Sequence, residues 1–223
     1  FGLIAGVLIE TESPFVLRTF ARPARLSELL PALEQVETPD VSKLALRADP
    51  KRLFHLEMRI NPFRDDDAYL STMFRYCRMP ADAQPIPRPS AHSPGAEALN
   101  LLAAVARTGP LGARLAGGFA SLAFTSTDDR WGALRDVFRD TNLPPKGSSC
   151  AMGVPVAFAN RAIAVLLDCH RVSPAPVIFA LRFVRSTAAT LGFTFHAPVT
   201  CVLEVDGLDV PATRAFQQRV WGA

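Results

Sequence analysis

Strict alternation of apolar and mixed positions is clearest in two stretches towards the C-terminal end. Val177–Val184 (VIFALRFV) and Val199–Val205 (VTCVLEV) both read as half-buried strands, the second stopped by Asp206-Gly207. Between them, Arg185–Pro198 carries Ser, Thr, Gly, His and Pro, the composition of a functional loop. Leu53–Ile60 alternates in the same way, with His55, Glu57 and Arg59 on one face and Phe54, Leu56, Met58 and Ile60 on the other. Its expected partner is Ser42–Arg47, joined through a turn at Asp49-Pro50. Phe15–Ala21 reads as a further strand. So does Phe1–Glu12 (FGLIAGVLIETE), with Gly2 and Gly6 as interruptions.

Helical spacing takes over elsewhere. Leu26, Leu29, Leu30 and Leu33 recur at i, i+3, i+4 and i+7, which predicts an amphipathic helix over Arg25–Val36. Ala96–Arg107, Leu111–Leu115 and Pro211–Val220 are also expected to be helical. Asp65–Asp67 would open a short helix running to Cys77, where three acids suit the helix dipole better than they suit a metal. Asp128–Phe138 would be a helix with Trp131, Leu134 and Phe138 on one side. Gly117–Ser126 and Ala162–Asp168 read as strands, Thr141–Met152 as a Pro/Gly/Ser loop and His170–Pro176 as a turn. Arg78–Pro94, with five prolines, is expected to be an exposed loop or lid. Strands and short helices follow one another without a regular βαβα rhythm. That order predicts an α+β fold: one large, mainly antiparallel sheet with helices packed on one face.

Composition narrows the function. A chain of 223 residues, 49% hydrophobic and 20% charged, buries a real core without staples. Its net charge of +3 comes from 24 basic and 21 acidic residues with no basic run longer than two, so no nucleic-acid partner is expected. No stretch is long and apolar enough to predict a membrane span, and Phe1–Ile9 lacks the basic start of a signal peptide. A first residue that is Phe, inside a strand pattern, suggests a fragment, a processed product or a partly represented protein. Cys77, Cys150, Cys169 and Cys201 stand far apart with no CxxC spacing and are expected to be reduced, Cys169 and Cys201 as small hydrophobes in or beside strands. The chain contains no GxGxxG, GxxxxGK[ST], HExxH or GxSxG motif, so it holds no self-sufficient phosphate cradle, zinc site or hydrolase elbow.

One arginine, Arg182, stands inside the first C-terminal strand between apolar neighbours, and His196 lies in the loop that follows. Each has a plain reading: Arg182 pairs with an acid across the sheet, His196 is a surface loop residue, and His55, Glu57 and Arg59 form a solvated, salt-linked face.

With those residues in view, the sequence resembles the FAD-linked oxidases of the vanillyl-alcohol oxidase type. FGLIAGVLIETE is similar to the last strand of their flavin-binding domain. FALRFV (Phe179–Val184) followed by CVLEVDG is similar to paired strands of the cap domain in the alditol, aldonolactone and cholesterol oxidase branch. ATRAFQQRVW stands where that branch has its next helix. The resemblance implies a truncated flavin-binding portion at 1–12, with Phe1 and Gly2 near the cofactor, and an α+β substrate-binding cap at 13–223. It implies FAD held mainly by residues outside this chain, in a FAD-binding domain upstream or on another chain. A small-molecule alcohol, sugar or sterol-like substrate would be oxidised by hydride transfer to the flavin. Where that branch often reads Glu-x-Arg, this chain reads Ala180-Leu181-Arg182. The arginine is kept and the acid is lost, which hands the acid's role to Glu204 or Glu57. Arg182 and His196 are then the expected catalytic residues, and Glu57, Arg59 and Glu204 the substrate-binding ones. Two other readings stay open: a non-catalytic α+β module binding a ligand or partner through the 78–94 loop, and a cofactor-free enzyme using the Cys150 thiol.

Overall fold

The computed structural model describes residues 13–34, 50–86, 94–120, 127–137, 147–186, 194 and 197–222. Seven strands build one sheet: β1 (Val16–Arg25), β2 (Leu53–Ile60), β3 (Asp67–Tyr76), β4 (Asp128–Ala133), β5 (Gly147–Pro155), β6 (Val177–Arg185) and β7 (Val199–Leu208). Their order is β4-β1-β3-β2-β6-β7-β5, and every neighbouring pair is antiparallel. The helices are α1 (Leu26–Glu34), α2 (Pro94–Ala106), α3 (Pro110–Ala120), a single turn α4 (Leu134–Val137), α5 (Ala159–Val172) and α6 (Pro211–Trp221). The fold is therefore α+β, as the order of patterns predicts.

The core forms where one face of the sheet meets α1, α5 and α6. Alternate residues of the central strands point into it: Leu56, Met58 and Ile60 from β2, Phe179 and Leu181 from β6, and Cys201, Leu203 and Val205 from β7. Leu26, Leu29 and Leu33 of α1, Ile163 and Leu166 of α5, and Phe216 and Val220 of α6 close over them. Each helix contributes at three- or four-residue spacing, which is why the leucine pattern of α1 was readable in advance. Helices α2 and α3 pack on each other and against Leu208, Val210 and Ala212, at the passage from β7 into α6.

Several elements differ from the sequence pattern, each for a local reason. Asp67–Tyr76 is strand β3, not a helix: Ala68, Leu70, Thr72 and Phe74 are buried on one face and Tyr69 on the other, and that mixture mimics helical spacing. The acids before it do cap a helix, but a distant one. Asp66, at φ +59°, accepts hydrogen bonds from the Ser27 amide (2.6 Å) and hydroxyl (2.8 Å) at the start of α1. Asp128–Ala133 is an edge strand paired with β1, and only the turn after it is helical. Of the loop expected over Thr141–Met152, residues 147–152 belong instead to strand β5 (Gly147–Pro155), which pairs along its whole length with β7, and residues 141–146 lie outside the described residues. Ala162–Asp168 belongs to helix α5, in which Ile163, Leu166 and His170 share the buried face, so Cys169 also lies on a helix. Gly117–Ala120 ends helix α3 instead of starting a strand. Phe1–Glu12, Ser42–Arg47 and residues 121–126 lie outside the described residues.

His170 is buried in α5 rather than placed in a turn. Its ring sits edge-on to Phe63, Phe216 and Phe179, and Nε2 lies 3.1 Å from the Ala175 carbonyl. The described part of the proline-rich loop is tied down too. The Trp131 amide donates to the Gln84 carbonyl (2.8 Å) and the Ile86 amide donates to that of Trp131 (2.9 Å), covering the outer edge of β4.

Candidate functional site

Alternation that sends Leu56, Met58, Phe179, Leu181, Leu203 and Val205 into the core sends their neighbours to the opposite face. Strand register then lines them up in two rows. One row reads Ser71, Glu57, Arg182 and Val202 across β3, β2, β6 and β7; the next reads Tyr69, Arg59, Ala180, Glu204 and Ala151, reaching β5. Glu57, Arg59, Arg182 and Glu204 thus come together at the centre of the sheet, from three strands spread over almost 150 positions of sequence.

Glu57 is the hub. Its Oε1 accepts from Arg59 Nε at 2.5 Å and its Oε2 from Arg182 Nε at 3.0 Å, while His55 Nε2 lies 3.7 Å from Oε2. The Glu57 side chain is only 8% exposed, whereas that of Arg182 is 42% exposed. Burial alone would raise the carboxyl pKa; the His55 imidazole and the Arg59 and Arg182 guanidinium groups overcome it and hold the pKa at about 2. Arg182 also reaches the other way, placing Nη2 3.1 Å from Glu204 Oε2.

Glu204 has the opposite electrostatics. Its side chain is 14% exposed, and burial, helped by the neighbouring Asp206 and Glu57 carboxylates, outweighs Arg182 and raises its pKa above the ordinary carboxylate value. One arginine therefore bridges two carboxyl groups pushed apart: Glu57 a fixed anion with both oxygens engaged, Glu204 a group held closer to protonation. Such a divergence separates a charge-holding role from a proton-exchanging one.

The sequence-level candidates divide accordingly. Arg182, Glu57, Arg59 and Glu204 are brought into one cluster. His55, read only as a member of a salt-linked face, belongs to it through Glu57; the His-x-Glu-x-Arg alternation of β2 was the available signal. Arg182 does pair with acids across the sheet, Glu57 on one side and Glu204 on the other. The salt-linked face of His55, Glu57 and Arg59 is not simply solvated, because Glu57 within it is buried. The acid absent at Ala180 has a neighbour in register, since Glu204 stands directly across from Ala180 on β7. His196, Phe1 and Gly2 lie outside the described residues. Cys150 lies on β5 in register with Val205, on the core-facing side and away from the cluster, and burial pushes the Cys201 thiol up to about 12. Among the described residues no group of three or more His, Cys, Asp or Glu is placed to hold a metal ion, and no helix is long and apolar enough to cross a membrane.

Fold and cluster together define an α+β domain that presents a charged, partly buried Glu–Arg–Glu relay at the centre of one sheet face. No family model matches the sequence, and no curated protein matches it significantly. Solved structures with a related arrangement include BBE-like 1 from Physcomitrella patens (8% identity, TM-score 0.42, covering 94% of this chain and 43% of that one). A berberine bridge enzyme variant gives 9% identity and a TM-score of 0.46, covering 93% of this chain and 40% of that one. The berberine bridge enzyme of Eschscholzia californica gives 8% identity and a TM-score of 0.42, with the same 93% and 40% coverage. The chain spans less than half the length of each.

Proposed function

We propose that this chain is the substrate-binding part of an FAD-dependent oxidoreductase acting on an alcohol-bearing small molecule, with the Glu57–Arg182–Glu204 relay facing the reacting carbon. The observation that supports the reading is the relay itself: a half-exposed arginine held from behind by a buried carboxylate, beside a second carboxyl of raised pKa. The residues suit a flavin in one respect: the partly exposed guanidinium groups of Arg182 and Arg59 would stabilise the negative charge that a flavin ring gains on reduction. When bound, the flavin supplies hydride acceptance, which no side chain of this chain can provide. This chain's residues do the rest. Arg182 donates hydrogen bonds to the substrate oxygen and stabilises it as negative charge develops. Glu204 takes the hydroxyl proton on a carboxylate oxygen, its raised pKa bringing it closer to the working pH of a general base. Glu57 keeps Arg182 aimed, and Arg59 and His55 keep Glu57 ionised.

The first test is an absorbance spectrum from 300 to 550 nm with intact mass on the protein from its native source. Flavin bands on a longer polypeptide support the reading; a colourless, folded 24 kDa chain overturns it. With flavin present, Glu204→Gln is expected to lower kcat by about 10²–10⁴-fold with little change in KM, while Glu57→Asp retains part of the activity.

A further inference from the structure

On the other side of the sheet, α5 and α6 leave a trough above the outermost strand pair. Met152 and Val154 of β5 and Leu203 of β7 form its floor, with Phe158 and Val165 along its rim. It encloses about 330 Å³ and its lining is almost wholly apolar. Phe158 is 55% and Val165 41% exposed, so this apolar rim lies open to water on the face that elsewhere forms the core. Arg161, one helical turn before Val165 on α5, is the only charged residue of the lining among the described residues and is exposed at its mouth. It makes no ion pair among the described residues.

An apolar trough ending in one cation is complementary to an apolar chain ending in one anion. We infer that this trough binds an aliphatic monocarboxylate, tail along Met152, Val154 and Leu203 and headgroup on Arg161. At roughly 30 Å³ for each water-sized group, the space accommodates a chain of about ten carbons. The site uses core-facing positions, whereas the Glu57–Arg182–Glu204 relay uses the opposite ones, so the two are separate and this inference stands without the oxidoreductase reading.

Titration calorimetry of the 223-residue chain with decanoate and with decanol tests it. Decanoate is expected to bind with a Kd on the order of 10–100 µM, and decanol about tenfold more weakly. Arg161→Gln should weaken decanoate about tenfold and leave decanol unchanged. Val165→Glu, which sets a carboxylate one turn from Arg161, should abolish decanoate binding. Both substitutions fall at exposed helix positions, and circular dichroism confirms that the variants are folded. Absence of decanoate binding to the unaltered chain overturns the inference, as does a Kd that Arg161→Gln leaves unmoved.

Discussion

Replacing Glu57 by Gln keeps the size of the side chain and removes the charge on which three neighbours converge. The expected cost follows from the carboxyl itself. Its pKa falls from an ordinary 4.5 to about 2 in the folded protein, and each pKa unit of difference between folded and unfolded states is worth about 1.4 kcal/mol, so the ionised form contributes about 3 kcal/mol. Because the folded pKa lies below the unfolded one, that stabilisation is complete above pH 4.5 and drains away as the pH falls towards 2. Arg59 and Arg182 are each about two-fifths exposed and partly rehydrate when Glu57 is neutralised, which lowers the net effect of the substitution at pH 7 to about 2 kcal/mol. For a chain of this size that lowers Tm by about 4–8 °C. Urea titrations followed by tryptophan fluorescence, repeated from pH 7 to pH 2.5, measure both parts. The unaltered protein should lose more stability than Glu57→Gln as the pH falls below 4.5, so that the two converge near the acid end. Equal midpoints at pH 7, or a constant gap down to pH 2.5, would refute the claim that the ionised, buried carboxylate holds the cluster together.

Gly207 in β7 is pressed against the chain that enters β6: a Cβ there would lie 2.5 Å from the Pro176 carbonyl oxygen and 2.9 Å from Val177 Cγ1. Gly207→Ala should therefore cost about 1–3 kcal/mol, read from the shift in urea midpoint, and an unchanged midpoint would contradict the close approach. Burial, reinforced by nearby Arg114, lowers the His170 pKa below 6.5. Folding thus favours the neutral ring, and stability should fall as the pH drops below about 6.5. His170→Leu, with nothing to titrate, should show a flatter stability curve between pH 7 and 5 when the two proteins are compared by thermal melts.

Legibility in the sequence followed the kind of burial each segment has. β6, β7 and β2 each bury one face, so their period of two was plain, and α1 likewise shows its leucines at helical spacing. β3 is buried on both sides, and its Leu70 and Phe74 imitate a helix; β5 is an edge strand whose Gly and Ser imitate a loop. α5 failed the other way, because the run Ala162-Ile163-Ala164-Val165-Leu166-Leu167 is apolar enough to pass for a buried strand. The candidate site was legible as residue types and invisible as an arrangement. Arg182 and Glu204 were each conspicuous, but that Glu57 faces Arg182 depends on β2 lying next to β6, a pairing 125 positions apart that only the sheet order supplies.

The cap that Asp66 places on α1 has a consequence for how the chain reaches this structure. α1 is nine residues long and contains Pro31, too short and too interrupted to persist alone in water. Its first turn is held by a turn residue 39 positions downstream, between β2 and β3, and its leucines have no surface to cover until those strands are paired. α1 therefore assembles as a passenger of the β2–β3 hairpin. Its amides should open to solvent together with that turn, as one cooperative unit that lets go before the central strands do.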